Sequence, residues 1–473
     1  MTFAPKQQFD SDANVTTADI ARRAFVRKAL AGYKITRSRT ENAFSSWQHA
    51  RDAASEIKYE GINHLDEMLE QFERTFTARG GKVFWASNSQ QARDYIINLC
   101  REKDARSIVK SKAMTSEEIH LNDALEAEGF GVVESDLGEF IQQLKHEAPY
   151  HFVFPCMHLR RDEISALFEK ELGSAPTDSP EELTMIARRW LRKKYIEADI
   201  GISGANFVIA ETGMISITEN EGNARLTCAH PRVHIALVGI EKVLPRLADL
   251  ALFLPMLGTA GTGQNMTCYN SMYGGPRQPG EVDGPEEFHV VLLDNHRTRL
   301  LADPEQRDAL HCIRCGACLN VCPIFKNIGG HAYGTTYQGP IGSVITPHFR
   351  GLQDWKHLSG ASSLCGACTE ACPVKIDIHH HLLHNRRNAM KEKPAFFEKL
   401  MWKGFAWFMN QPRLYAFATK FTPWLLELHP LVKASPLDPV AAWTKTRDFP
   451  EAPAQSFRAQ WAARNKAKTE ISK

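Results

Sequence analysis

The sequence predicts an α/β domain built on a mixed sheet, followed by an α-helical cysteine-rich module and a helical, basic C-terminal region. Three observations carry this prediction. The hydrophobic period switches from helical to strand-like near residue 76, seven of the 11 cysteines crowd between Cys312 and Cys372, and the last stretch is rich in Trp, Phe and Lys. The length of 473 residues suits about three domains, and the 43% hydrophobic and 24% charged composition excludes wholesale disorder. With 57 Lys and Arg against 55 Asp and Glu, no general affinity for nucleic acid is expected.

Residues 1–75 read as a helical arm, because Phe44, Trp47, Ala50, Ala54 and Ile57, then Ile62, Leu65, Met68, Leu69 and Phe72, recur at three and four spacing. Residues 76–295 read as the α/β domain. Strands are expected at 82–86, 107–109, 131–134 and 152–154, separated by helices at 90–100 and 116–128. After a helix at 181–198, apolar runs at 207–211, 214–218, 234–239 and 289–293 are expected to complete the same sheet. The glycine-rich stretch 258–284 is too long for a plain connector and reads as a functional or packing loop, or as an ordered surface excursion. Its Gly258-x2-Gly261-x-Gly263 order is wrong for a dinucleotide fingerprint and no acidic ribose partner follows, so neither NAD nor flavin binding is expected.

Residues 296–393 form the cysteine-rich module. Cys312-Ile-Arg-Cys315-Gly-Ala-Cys318-Leu-Asn-Val-Cys322-Pro323 is a C-x2-C-x2-C-x3-C-P run, in which a tight loop delivers three thiolates to one cubane and the fourth is directed to another. The second run, Cys365-x2-Cys368-x3-Cys372-Pro373, supplies three thiolates, and Ser362 stands where a complete repeat would begin. Crossed ligation assigns Cys312, Cys315, Cys318 and Cys372 to one 4Fe-4S cluster, and Cys322, Cys365 and Cys368 to a second. The last iron of that second cluster is completed by Ser362, water or a substrate, or the cluster is of the 3Fe-4S type. Zinc and a dithiol switch are the competing readings, but zinc is closed by four ligands in separate pairs, which this spacing does not offer. Cys100, Cys156, Cys228 and Cys268 are scattered singly and read as core filling. Backbone N–H groups of the glycines between the motifs, Gly329 to Gly342, could donate to cluster sulfurs or simply make turns.

These residues resemble the lactate utilisation protein B family. The resemblance rests on the run from His311 to Gly342, with Gly329-Gly-His-Ala-Tyr-Gly334 and Gly339-Pro-Ile-Gly342, and on Ser362-Ser-Leu-Cys-Gly-Ala-Cys368. It also rests on Gly204-Ala-Asn-Phe-Val-Ile-Ala-Glu-Thr-Gly213, which resembles the LUD domain, and on the tail from about Pro394. The resemblance implies a LUD-like domain related to sugar-phosphate isomerase and CoA-transferase folds, then a helical ferredoxin module. It further implies an iron-sulfur subunit that carries electrons during oxidation of L-lactate to pyruvate beside other lactate-utilisation subunits, with donor and acceptor proteins or quinone as redox partners. That family also lacks an eighth cysteine. Competing functions are an enzyme that uses an incompletely ligated iron as a Lewis acid, and a redox-sensing or assembly scaffold.

Weaker candidates remain. Lys110, Lys112, Glu211, Thr212, Glu219, Glu221 and Arg225 are polar residues at expected strand ends, where open α/β sheets bind ligands, although surface ion pairs have the same composition. His379, His380, His381 and His384 read as a solvated helix face rather than a metal tract. His311 and His331 sit beside cluster cysteines. Residues 394–473 interleave Trp402, Phe405, Trp407, Phe408, Tyr415, Phe417 and Phe421 with Lys399, Lys403, Arg413 and Lys420, as in a helical hairpin packed on the cluster module or a basic helix with peripheral membrane contact. Residues 1–14 are polar and lack the apolar centre of a signal peptide, and no window of eighteen uncharged apolar residues exists, so a reducing cytoplasm is expected.

Overall fold

The computed structural model describes residues 4–393, 396–432, 438 and 455–471. Two compact units are present, Met1–Ala389 and Met390–Lys473.

The first unit is organised by a sheet of six parallel strands. In chain order these are β1 (Lys82–Ala86), β2 (Ser107–Lys110), β3 (Gly131–Glu134), β4 (Ile200–Ser203), β7 (Val233–Gly239) and β10 (Glu287–Leu293), and their spatial order is β1-β10-β7-β4-β2-β3. Helices cover both faces, so β4, β7 and most of β10 are buried throughout, as their uninterrupted apolar runs require. A second sheet of four strands, ordered β8-β5-β6-β9, contains β5 (Phe207–Ile209), β6 (Met214–Glu219), β8 (Val243–Leu244) and β9 (Tyr269–Tyr273).

Three expectations change. The runs at 207 and 214 do not complete the main sheet. They form an antiparallel hairpin of their own sheet, turned through Gly213 at φ 62°. Residues 152–154 are not a strand, because the backbone N–H groups of Val153 and Phe154 donate to His151 Nδ1 instead of to a neighbouring strand. The stretch 258–284 is only partly loop: it ends the helix Leu250–Thr262 and then contributes β9. Strand β4 at the sheet centre is an addition to the expected strands; its Gly201 weakens the strand signal.

The N-terminal arm is helical, over Pro5–Ala18, Ile20–Glu41, Trp47–Asn63 and Leu65–Thr77. Val26, Leu30 and Ala54 bury into one continuous core with Phe253 and Met256 and with the cysteine-rich segment. That segment consists of short helices and turns, among them Ala317–Val321, Gly339–Arg350, Ala367–Ala371 and Ile378–Glu392.

In the second unit the helices Phe396–Met409, Pro412–Val432 and Phe457–Ile471 are described. Phe396, Phe397, Trp402 and Trp407 are exposed, and the Arg458 guanidinium lies 4.9 Å above the Tyr415 ring. Among the described residues no helix is long and apolar enough to cross a membrane.

Candidate metal centre

The two cysteine loops are built alike, fifty residues apart. Each has a left-handed residue before its central cysteine, Arg314 (φ 59°) and Leu364 (φ 53°), and a left-handed glycine after it, Gly316 (φ 77°) and Gly366 (φ 81°). Each then enters a five-residue helix, Ala317–Val321 or Ala367–Ala371, that ends at Cys322 or Cys372. The following proline removes the N–H needed to continue. The correspondence reaches the missing cysteine. Cys312 Sγ accepts from Arg314 N at 3.4 Å, and Ser362 Oγ accepts from Leu364 N at 3.2 Å.

Packing of the two short helices gathers the seven thiols into two sets. Cys312, Cys315, Cys318 and Cys372 line one small cavity whose other walls include Phe152, Ile341, Val374 and Ile376. Burial, followed by the charges of Cys315 and Cys312, pushes the Cys372 thiol up to about 12. Burial, then Cys312 and Cys315, raises Cys318 well above its ordinary value. In the other set, burial and then Cys322 and Cys365 raise Cys368 to about 11. Cys318 also senses Cys368, so the sets adjoin. Buried thiols that repel one another when ionised are a poor arrangement by themselves. A cationic core would add to each thiolate an attraction that outweighs both burial and their mutual repulsion.

Other features fit the same group. The Sγ atoms accept backbone N–H groups, from Phe325 to Cys322 at 3.5 Å and from Ile376 to Cys372 at 3.3 Å, as thiolates that ligate iron-sulfur clusters do. The N–H that lowers the Cys318 thiol belongs to Ile341, beside Gly342 rather than on one of the glycines. Cys100 and Cys228 are buried apart from both sets, each pushed up to about 12 by burial.

Distant parts of the chain hold the second loop. Arg51 Nε donates to Cys372 O at 3.0 Å and Arg37 Nη2 to Ala371 O at 2.9 Å, both from the N-terminal arm. Arg386 donates to the carbonyls of Ser359 and Ser362, and Asn385 to those of Ser343 and Val344. The first loop is tied to the α/β domain through Glu241, which accepts from Arg297 Nε at 2.5 Å and from Arg314 Nη2 at 3.1 Å. Burial opposes the Glu241 charge, yet Arg297 and Arg314 hold its carboxyl down at about 2. Lys58 Nζ donates to Glu241 O at 2.7 Å.

A cavity of about 350 Å³ adjoins the first loop. Of the polar strand-end residues singled out from the sequence, Lys112, Glu219 and Glu221 line it. Lys110 is buried against Glu134 at 2.7 Å, Glu211 accepts from Leu247 N, and Arg225 stands over the Tyr269 ring. Asp136, Asn206, Lys242 and Arg314 also line the cavity. Asn206 and Arg314 lie within quoted motifs, but nothing local in the sequence marks that their side chains meet those of Asp136 and Lys242. His381 pairs with Asp308 at 2.7 Å and His380 with Asp377 at 2.5 Å. His331 Nε2 bonds the Ala148 carbonyl, and burial, then Lys58, pulls His311 down to about 4.

Fold and site together define an iron-sulfur protein in which an α/β domain precedes a two-motif cysteine module. Residues 69–293 match the family model described as the LUD domain, 308–376 the 4Fe-4S dicluster domain, and 380–466 the C-terminal region of lactate utilisation protein B. Lactate utilization protein B of Bacillus velezensis is 42% identical over 457 residues, covering 94% of this chain and 95% of that protein. The protein of the same name from Shouchella clausii is 42% identical over 452 residues, with 93% and 94% covered. That of Bacillus subtilis is 41% identical over 450 residues, with 93% of each covered. The chain belongs to the lactate utilisation protein B family.

Proposed function

We propose that this chain is the iron-sulfur electron-transfer subunit of a system that oxidises L-lactate to pyruvate. Cys312, Cys315, Cys318 and Cys372 hold one 4Fe-4S cluster. Cys322, Cys365 and Cys368 hold a second, with Ser362 at its fourth corner. The observation that carries this reading is the cavity ringed by the first four thiols, three from one motif and the fourth from the other. The Ser362 assignment draws on its hydrogen bond to Leu364 N, the counterpart of the one at Cys312. When bound, such clusters take up and release single electrons. The chain's own residues exclude water with Phe152, Ile341 and Ile376, stabilise thiolate charge with backbone N–H groups, and fix both loops through Arg51, Arg386 and Glu241.

The names of the relatives support a role in lactate utilisation; other lactate-utilisation subunits as partners, and a protein or quinone as acceptor, belong to the same proposal. Anaerobically purified chain should contain iron and acid-labile sulfide sufficient for two clusters. Mixed with its partner subunits, it should show EPR signals that change on addition of L-lactate. Clusters that L-lactate leaves unreduced would remove the electron-transfer assignment, and zinc in place of iron would remove the cofactor.

A further inference from the structure

The main sheet places a ligand site of its own. From β2 the chain moves outward to β3, whereas β4 is followed by β7 and then β10 on the opposite side. The strand order therefore reverses between β2 and β4. Open α/β sheets bind small molecules beyond the carboxyl ends of the strands at such a reversal. Ser111 and Lys112 leave β2 there, Gly204 and Asn206 leave β4, and all four line the 350 Å³ cavity. That volume lies in the range of small-molecule pockets.

The cavity lining carries charges of both signs. Lys242 is 9% exposed, and its Nζ has no hydrogen-bond or ion-pair partner among the described residues. A buried ammonium without a partner is costly, and an anion is what would satisfy it. Arg314 joins it, with one guanidinium nitrogen spent on Glu241 and Nη1 buried without a partner. The acidic residues Asp136 and Glu221 are held by backbone N–H groups, of Glu139 at 3.1 Å and of Leu137 at 3.0 Å. Each uses one oxygen in this way, and the other makes no hydrogen bond among the described residues. One set of groups suits an anionic head, the other a hydrogen-bond donor. Cys315 forms part of the same wall.

We propose that this cavity binds a short carboxylate that also carries a hydroxyl or carbonyl group, with Lys242 and Arg314 meeting the carboxylate next to Cys315. The choice of L-lactate and pyruvate as probes rests on the function proposed above, while the site itself rests on the cavity. The test uses the full chain, purified anaerobically with its clusters, titrated calorimetrically with sodium L-lactate, sodium pyruvate and inorganic phosphate at constant ionic strength. At least one of the two acids should bind saturably. Lys242→Met should weaken that binding about tenfold or more, as loss of a buried charge partner does. Lys242→Arg should restore most of it, and both variants should keep wild-type iron, sulfide and melting temperature. Glu221→Gln, at another lining residue, should weaken L-lactate more than pyruvate, because only the former donates a hydroxyl proton.

Absence of saturable binding by either acid, binding of phosphate alone, or unchanged affinity in Lys242→Met would overturn the site. The clusters report separately. A chain that holds clusters but binds neither acid keeps the electron-transfer reading and loses this one. A chain that binds an acid but holds no iron does the reverse.

Discussion

The two cysteine loops share a backbone and differ in where they stand. In the first, Cys315 and Cys318 are buried, Gly316 is packed against His151 and Val153, and the loop forms a wall of the large cavity. In the second, Cys365 is exposed and nothing lies within 4 Å of where a Gly366 side chain would begin. Local chain chemistry is repeated while the environment is not. The first loop is enclosed against the α/β domain, whereas the second buries Cys368 and Cys372 but leaves Cys365 at the surface.

Breaking the cysteines should give the largest contrast. Cys315→Ser and Cys365→Ser should each lower iron content by about half. Only Cys315→Ser should also lower the melting temperature by several degrees, since Cys315 belongs to the main core and Cys365 does not. Equal melting temperatures would show that burial does not separate the loops. Next comes the anchor of the first loop. Glu241→Gln leaves Arg297 and Arg314 buried with a lost partner and should cost about 3–5 kcal/mol by thermal or denaturant unfolding.

The pH dependence of that loss follows from the depressed carboxyl. Glu241 lies at about 2 in the fold against an ordinary 4.5, so its contribution is complete above pH 4.5 and is lost as pH falls through 2. The difference in melting temperature between wild type and Glu241→Gln should therefore stay constant from neutral pH to about 5 and shrink below 4.5. A difference that instead grew on acidification would contradict the sign.

The glycine pair sharpens the comparison on a smaller scale. Gly366→Ala meets only left-handed strain, about 1–2 kcal/mol. Gly316→Ala adds a clash, with Val153 Cγ2 at 2.8 Å and His151 Cε1 at 2.9 Å from the new Cβ, so it should be the more destabilising of the two in chemical unfolding. The smallest effect on stability should come from Ser362→Cys, which gives the second loop the thiolate that the first has at Cys312. Its melting temperature should stay within a degree or so of wild type, while the EPR spectrum and midpoint potential of the proposed second cluster shift. An unchanged spectrum would remove the correspondence between Ser362 and Cys312.

The parts of this molecule legible in its sequence are those in which the residues concerned lie within a few positions of one another. The spacing of Cys312, Cys315 and Cys318 is a property of one loop, and the apolar runs that mark β1 to β3 are properties of short segments. The motif also carries the expectation that Cys372 joins Cys312, Cys315 and Cys318, and these four line one cavity. The hairpin at 207–219 was assigned to the wrong sheet because an apolar run states burial but not its neighbour. Strand β4, Ile200-Gly-Ile-Ser203, is less legible than β2 or β3 of the same length because Gly201 dilutes its strand signal directly after a helix.

What sequence alone determined, then, is the kind of metal chemistry: soft thiolates at these intervals suit iron and sulfide. Only the tertiary structure decided what surrounds them. Lys242 follows β7, Arg314 sits inside the first motif, and Asp136 and Glu221 flank different strands, yet all four border one cavity. Their meeting depends on the order of strands in the sheet and on the cysteine module docking against it. Both are set by long-range packing, which no local spacing encodes.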